Sequence, residues 1–243
     1  DTGADLVFDY VDYMTDSKLE RYLSLADDVV CASRRLQRQA ERLGAQAIHL
    51  PNAVDFRKLH SANGQRVREQ HGMENRIVVS LIGLTCSPDL YFAQSLLRLA
   101  SEIPDCMFLL VGMGAMYKPL RKALRSVNEQ CVWVGWIPQD RIYDYSLASD
   151  VGLYPGADDE YFRAACPIKL LEYAAAGRPA VSSPVEEIDV LGLRNVIQTA
   201  ANATDFLQGI QRAISDQKPE PELGVPRWEQ AAESMERILT AGG

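Results

Sequence analysis

Basic residues are the minority charge in this 243-residue chain: 25 Lys and Arg stand against 33 Asp and Glu, a formal net charge of −8. The broad basic surface from which nucleic-acid binding draws its affinity is missing, so nucleic acid is not an expected partner. No run approaches the roughly 18 to 20 consecutive apolar residues that span a bilayer. The first residues, Asp1 to Tyr10, lack the basic start and hydrophobic stretch of a signal peptide, which makes the cytoplasm the expected location. A peripheral contact at the inner membrane face stays open through Arg34 to Leu43, where arginines cluster on one helical segment. Cysteine is sparse and scattered (Cys31, Cys86, Cys106, Cys131 and Cys166) with no C-x-x-C pair, a pattern of reduced core thiols and not of disulfides or zinc. His49, His60 and His71 show neither metal-ligand spacing nor a Ser or Asp partner, which argues against a hydrolase triad. No Asp-x-Asp pair offers a metal site, and no G-x-G-x-x-G turn offers a dinucleotide site. Neither metal nor cofactor is expected.

What is present is an ordinary globular composition, 47% hydrophobic and 24% charged, enough for one large or two modest domains. Short β-branched or apolar runs at Leu6–Phe8, Asp28–Ser33 and Ala47–Pro51 alternate with segments of helical periodicity. The stretch from Arg57 to Asn75 is polar and reads as a linker or hinge. Alternation restarts at Arg76 with IVVSLIG and continues through CMFLLVG, CVWVGW, DVGLYP and PAVSS, each separated by a helical segment. Apolar strands in regular alternation predict an α/β fold of doubly wound parallel sheets. The expected division is a partial N-terminal domain at 1–56, a linker at 57–75, a complete nucleotide-binding domain at 76–216 and an extension at 217–243. Within that extension, a helix after the Pro-rich crossing is placed to return to the first domain.

The most informative segment runs from Pro167 to Val181. Pro167 opens an Ala-rich helix that stops at Gly177, after which a new strand starts. A helix N-terminus leaves backbone N–H groups unpaired and carries partial positive charge, so it accepts phosphate. Lys169 adds a full charge, and the Glu172 carboxylate suits two ribose hydroxyls. Gly83, Gly112 and Gly114 follow strands, where glycine either ends the strand or admits close approach of a ligand. Asp9 and Asp12 follow the first strand on the side where open α/β sheets bind ligands, which makes them acceptor-side candidates beside the alternative of capping.

Taken in order, these motifs resemble the retaining, nucleotide-sugar-dependent glycosyltransferases of the GT-B fold. ADDVVCAS and HLPNAVDF look like the end of that family's first domain, LLVGMG like its Gly-x-Gly strand end, VWVGWIP like its base-contacting loop, and PIKLLEYAAAGRPAV like its donor-binding helix. The last is closest to bacterial enzymes of surface-polysaccharide synthesis. The resemblance implies transfer of a sugar from a nucleotide-diphosphate donor to a saccharide or lipid-linked acceptor, without an obligatory metal. It places donor contacts at Gly83, Leu84, Thr85, Gly112, Gly114, Trp136, Ile137, Pro167, Ile168 and Glu172, with Arg163 and Lys169 as the catalytic cations and Arg178 a further cation. Trp136 is expected to pack into the core while the Ile137 backbone reads the base.

The sequence departs from the family pattern in three ways. Where the paired-glutamate motif has its first carboxylate the chain has Ala164, which leaves Asp158, Asp159 or Glu160 to substitute. The loop IGLTCSPDL has no basic residue for the diphosphate. The first domain has too few strands for a nucleotide-fold half, which usually has about six, and further domains or subunits are expected to complete it. These departures keep open a non-catalytic nucleotide-binding or scaffold module. A sugar-nucleotide epimerase of the same architecture is a further alternative.

Overall fold

The computed structural model describes residues 6–84, 89–216, 220–221 and 224–241. Strands β1 (Val7–Tyr10), β2 (Asp28–Cys31) and β3 (Ala47–His49) form a parallel sheet in that order, connected by α1 (Asp16–Leu23) and α2 (Arg34–Arg42). One face of this sheet is a core of Tyr10, Val29 and Cys31 with Leu19 and Leu36 from the two helices.

The polar stretch read as a linker is helical. Helix α3 (Phe56–Ser61) is capped by Asp55 and α4 (Gly64–His71) by Asn63, each side chain accepting from a first-turn N–H. Both helices bury few but well-spaced apolar residues, Phe56, Leu59 and Val67, and the following Met73 is also fully covered. Their outer faces carry the charge that dominated the sequence pattern.

The second sheet contains β4 (Ile77–Ile82), β5 (Cys106–Val111), β6 (Cys131–Val134), β7 (Val151–Tyr154), β8 (Ala180–Ser182) and β9 (Val196–Gln198), all parallel, in the order β6-β5-β4-β7-β8-β9. Strand order runs outward from β4 to one edge and then restarts from β7 to the other, so a switch point lies between the C-terminal ends of β4 and β7. The connecting helices are α5 (Tyr91–Glu102), α6 (Tyr117–Ala123), α7 (Ile142–Ala148), α8 (Glu160–Ala164), α9 (Ile168–Ala175), α10 (Glu186–Leu191) and α11 (Ala203–Ser215). Side chains alternate along β4 and β5 as the pleat requires: Val78, Ile82, Leu109 and Val111 face α4, α7 and α9, whereas Val79, Leu81, Phe108 and Leu110 face α5, α6 and α11. Strand β9 and the short helices α8 and α10 were not anticipated from the sequence; each is too brief to show a period.

The last described helix, α12 (Trp228–Ala241), is reached through a crossing in which Val54 exchanges backbone hydrogen bonds with Pro226 and Trp228. Arg227 stacks its guanidinium 4.2 Å above the Phe56 ring. Helix α12 then lies along the first sheet, and Trp228, Met235 and Leu239 line a largely apolar groove with Val11, Val30 and Leu50.

Helix α4 touches α7 through Gly64, where a Cβ would lie 2.4 Å from the backbone carbon of Leu147. Backbone cannot yield as a flexible side chain does. Gly64→Ala is therefore expected to cost at least about 1–3 kcal/mol in urea denaturation; an unchanged midpoint would show that this packing does not hold the helix.

Candidate functional site

The C-terminal ends of β4 and β7 and the start of α9 meet at the switch point. Gly83 follows β4, with a φ of +89° that suits glycine and an N–H that donates to the Val111 carbonyl at 2.9 Å. Pro167 occupies the N-cap position of α9 with no side-chain cap. Leu170 donates back to the Pro167 carbonyl, while the N–H groups of Ile168 and Lys169 have no partner among the described residues. These elements enclose a cavity of ≈ 240 Å³ lined by Leu81, Ile82, Gly83, Tyr154, Pro155, Phe162, Pro167, Ile168 and Lys169.

Behind the cavity, Lys169 Nζ donates to Glu172 Oε2 at 2.9 Å. Glu172 is only 4% exposed. Burial pushes its carboxyl above the ordinary range, and the Lys169 ammonium opposes that rise. Oε1 of the same carboxylate has no hydrogen-bond partner among the described residues.

Four of the residues expected from the sequence, Gly83, Pro167, Ile168 and Lys169, thus line one cavity. Leu84 is buried in the core beneath it, and Thr85 lies outside the described residues. Gly112 has φ +116° and donates to the carbonyls of Val134 and Gly135, so the ends of β4, β5 and β6 are drawn together. The Gly114 carbonyl accepts from Tyr117 N–H at the start of α6. Ile137 is half-buried against the main core. Trp136 is a correction to the expected core packing: its side chain is 77% exposed, because the chain has left β6 and turned outward before it.

The other candidates sit elsewhere. Arg163 donates to Asp158 at 2.6 Å and is not part of the cavity wall. Arg178 follows the far end of α9, donates to the Leu147 carbonyl and is held below its ordinary pKa by burial. Asp9 lines the groove under α12, and Asp12 accepts from the Tyr161 hydroxyl at 3.3 Å. Tyr154, Pro155 and Phe162 line the cavity without having been singled out from the sequence. For the first two the signal was available, since they end a strand beside the switch point.

Ala164 has a structural explanation. Its side chain is fully buried in the core of the first sheet, and its carbonyl accepts from Ser33 Oγ at 2.6 Å. None of the three neighbouring acids lines the cavity: Asp158 pairs with Arg163, Asp159 caps α8 through Phe162 N–H, and Glu160 pairs with Arg35. The Ser33–Ala164 contact lies on a seam between the two sheets, and that seam holds a pair that sequence spacing did not reveal, His49 Nε2 to Glu187 Oε1 at 2.7 Å, with Glu187 Oε2 accepting from Arg34 N–H. Asn52 also donates across the seam to the Cys166 carbonyl. The described cysteines are free, and burial pushes the Cys31, Cys106 and Cys166 thiols up to about 12 and Cys131 to about 11. Such thiols are poor nucleophiles.

Comparison with known proteins agrees with this architecture. Residues 89–216 match the model of the family described as glycosyl transferases group 1. TuaH of Bacillus subtilis, a glycosyltransferase assigned provisionally to teichuronic acid biosynthesis, is 30% identical over 171 residues, 67% of this chain and 42% of its own length. This chain therefore spans less than half of that relative. Among solved structures, HepE of Anabaena in complex with UDP and glucose superposes with a TM-score of 0.78 at 18% identity, over 98% of this chain and 72% of HepE. WaaG, a glycosyltransferase involved in lipopolysaccharide biosynthesis, superposes with a TM-score of 0.67 at 14% identity, over 98% of this chain and 72% of WaaG. These two likenesses establish the GT-B fold. By the match over residues 89–216, more than half of its length, the chain belongs to the group 1 glycosyl transferases.

Proposed function

We propose that this chain moves a sugar from a nucleotide-diphosphate donor to a saccharide or lipid-linked acceptor, in the synthesis of a bacterial surface polysaccharide. One observation carries the donor reading: Ile168 and Lys169, whose N–H groups have no partner among the described residues, line a cavity at the switch point of the larger sheet. Negative charge that develops on the leaving diphosphate would meet fixed dipoles and the Lys169 ammonium, which need no reorganisation as the bond breaks. Glu172 keeps one carboxylate oxygen on Lys169 and has the other for a ribose hydroxyl. Gly112, Gly114 and Ile137 belong to the base side in this reading, and Asp9 and Asp12 to the acceptor side. Retention of configuration and independence of metal follow from the family resemblance and are proposed on that ground. HepE has been solved with UDP and with UDP-glucose, so these are the first ligands to try.

A second reading has its own support. Ala164 is locked in an apolar core and the nearby acids have other partners, an arrangement that suits a module binding nucleotide without turnover. Release of UDP from UDP-glucose in the presence of acceptor glycans separates the two: binding without release favours the module.

Calorimetry with UDP is expected to show Glu172→Ala and Lys169→Ala each losing about ten- to a hundred-fold in affinity, as for charged hydrogen-bond partners. Full affinity in both variants would remove the donor site from α9.

The buried carboxyl also makes a prediction about stability. A group whose folded pKa lies above its unfolded value binds its proton more tightly when folded. Its contribution is therefore greatest at low pH and is lost as pH rises through the folded pKa. Glu172→Gln is accordingly expected to raise the urea midpoint at about pH 7 and to lose that advantage at about pH 4, while weakening UDP binding. A variant less stable than the unaltered chain at the higher pH would contradict it.

A further inference from the structure

Two clusters of basic residues stand out in this acidic chain, and the structure treats them differently. On α2, Arg35 pairs with Glu160 and Glu186, Arg38 with Glu186 and Arg42 with Asp16. That helix, the basic segment picked out by sequence, is neutralised where it stands.

The second cluster is on α6 and the turn after it. Lys118, Arg121, Lys122 and Arg125 recur at helical spacing on one stripe, opposite the buried Leu120 and Leu124. All four are exposed, and none has a carboxylate within 4.0 Å among the described residues. From Cys106 to Asn128 the sequence has no Asp or Glu at all. Arg121 contacts aromatic rings, its guanidinium 6.0 Å from Tyr117 and 5.9 Å from Trp133.

Those rings tie the basic stripe to an apolar tip. Trp133 lies on β6, an edge strand of the sheet, and its ring meets Tyr117 edge-on at 5.6 Å. Two residues further along the same side, the position of a Cβ on Gly135 is 3.6 Å from Met113 Sδ. Met113 is 67% exposed and the adjacent Trp136 is 77% exposed. An exposed tryptophan and methionine beside a stripe of unpaired cations is the composition that settles on a bilayer surface: ammonium and guanidinium groups face anionic headgroups, and the indole enters the interfacial layer. Among the described residues no helix is long and apolar enough to cross a membrane, so the contact would be peripheral.

We propose that α6, together with Met113 and Trp136, is a docking surface for a bilayer that carries anionic phospholipid headgroups. The surface belongs to the larger sheet and does not depend on the donor assignment. It would hold the strand ends at the membrane, where a lipid-linked acceptor is found.

Co-sedimentation with vesicles tests this directly. Binding is expected to phosphatidylcholine vesicles containing about one-third phosphatidylglycerol and not to phosphatidylcholine alone, and to fall steeply between about 0.1 M and about 0.5 M salt. Replacing Lys118, Arg121 and Lys122 together by Gln should weaken binding by about a hundred-fold, from about five-fold per charge. The α2 variant Arg38→Gln should bind as the unaltered chain does. Trp136→Ala should reduce partition to the anionic vesicles and abolish most of the blue shift of tryptophan fluorescence on binding. Far-UV circular dichroism and UDP calorimetry on the triple variant separate loss of fold or of the donor site from loss of docking. Equal binding to neutral vesicles, no binding to either, loss on Arg38→Gln but not in the triple variant, or binding to heparin without binding to vesicles would each overturn the proposal.

Discussion

Tyr173 lies fully buried on α9, with its ring where a side chain on Gly152 of β7 would otherwise be; a Cβ there would come within 2.4 Å of the ring. Its hydroxyl reaches Ser80 Oγ on β4 at 2.8 Å, Ser80 Oγ is hydrogen-bonded to Ser149 Oγ at 2.6 Å, and the single Ser149 proton goes to the Tyr145 carbonyl of α7 at 2.9 Å. One aromatic side chain therefore joins the two strands of the switch point to the helix whose N-terminus faces the cavity. Inside a dry core such a chain of hydroxyls is costly to break, since each donor left unpaired keeps its full desolvation penalty. The position of the Ile168 and Lys169 N–H groups rests on this anchor more than on any surface contact.

A second set of contacts decides what surrounds that position. The seam between the sheets is lined by groups that are either hydrogen-bonded or apolar: Ser33 with the Ala164 carbonyl, Asn52 with Cys166, His49 with Glu187, and Ala164 itself among Tyr10, Leu36 and Ala40. Removing Glu187 would leave the His49 Nε2 and the Arg34 N–H without this partner, and removing His49 would leave one oxygen of a buried carboxylate unpaired, so these bonds explain why a side chain as polar as Glu187 is tolerated at near-zero exposure. Ion pairs of α2 with Glu160 and Glu186 rim this seam in solvent, where each is worth little.

The alternation of strands and helices was plain in the sequence because strands of a covered parallel sheet read as largely apolar runs, and β4 to β8 do so. The Pro167 helix was legible for a similar reason: Pro at its start and Gly177 after its end are local signals. What escaped was local structure stabilised by distant partners. Helices α3 and α4 bury one or two side chains per turn and expose the rest, so their composition resembles that of a loop until α7 is placed beside them. Strand β9 has three residues and owes its existence to β8. Trp136 illustrates the opposite error, since an aromatic residue next to a strand reads as core unless the exit direction of the chain is known. Among site residues, chemistry at strand ends could be read from glycine, proline and charge, but pairing across the seam, as for Glu187 with His49 and Asn52 with Cys166, depends on tertiary distances that spacing does not encode.

The short link between α8 and α9 has a mechanical consequence. Ala164 is embedded in one sheet, and Pro167 begins the helix anchored under the other, with only Ala165 and Cys166 between them; three residue steps reach at most about 10 Å. Such a tether has almost no slack, and Asn52 clamps its midpoint. A change in the angle between the sheets would pull on the start of α9 itself, so whatever grips the smaller sheet alters the cradle at the switch point without touching it.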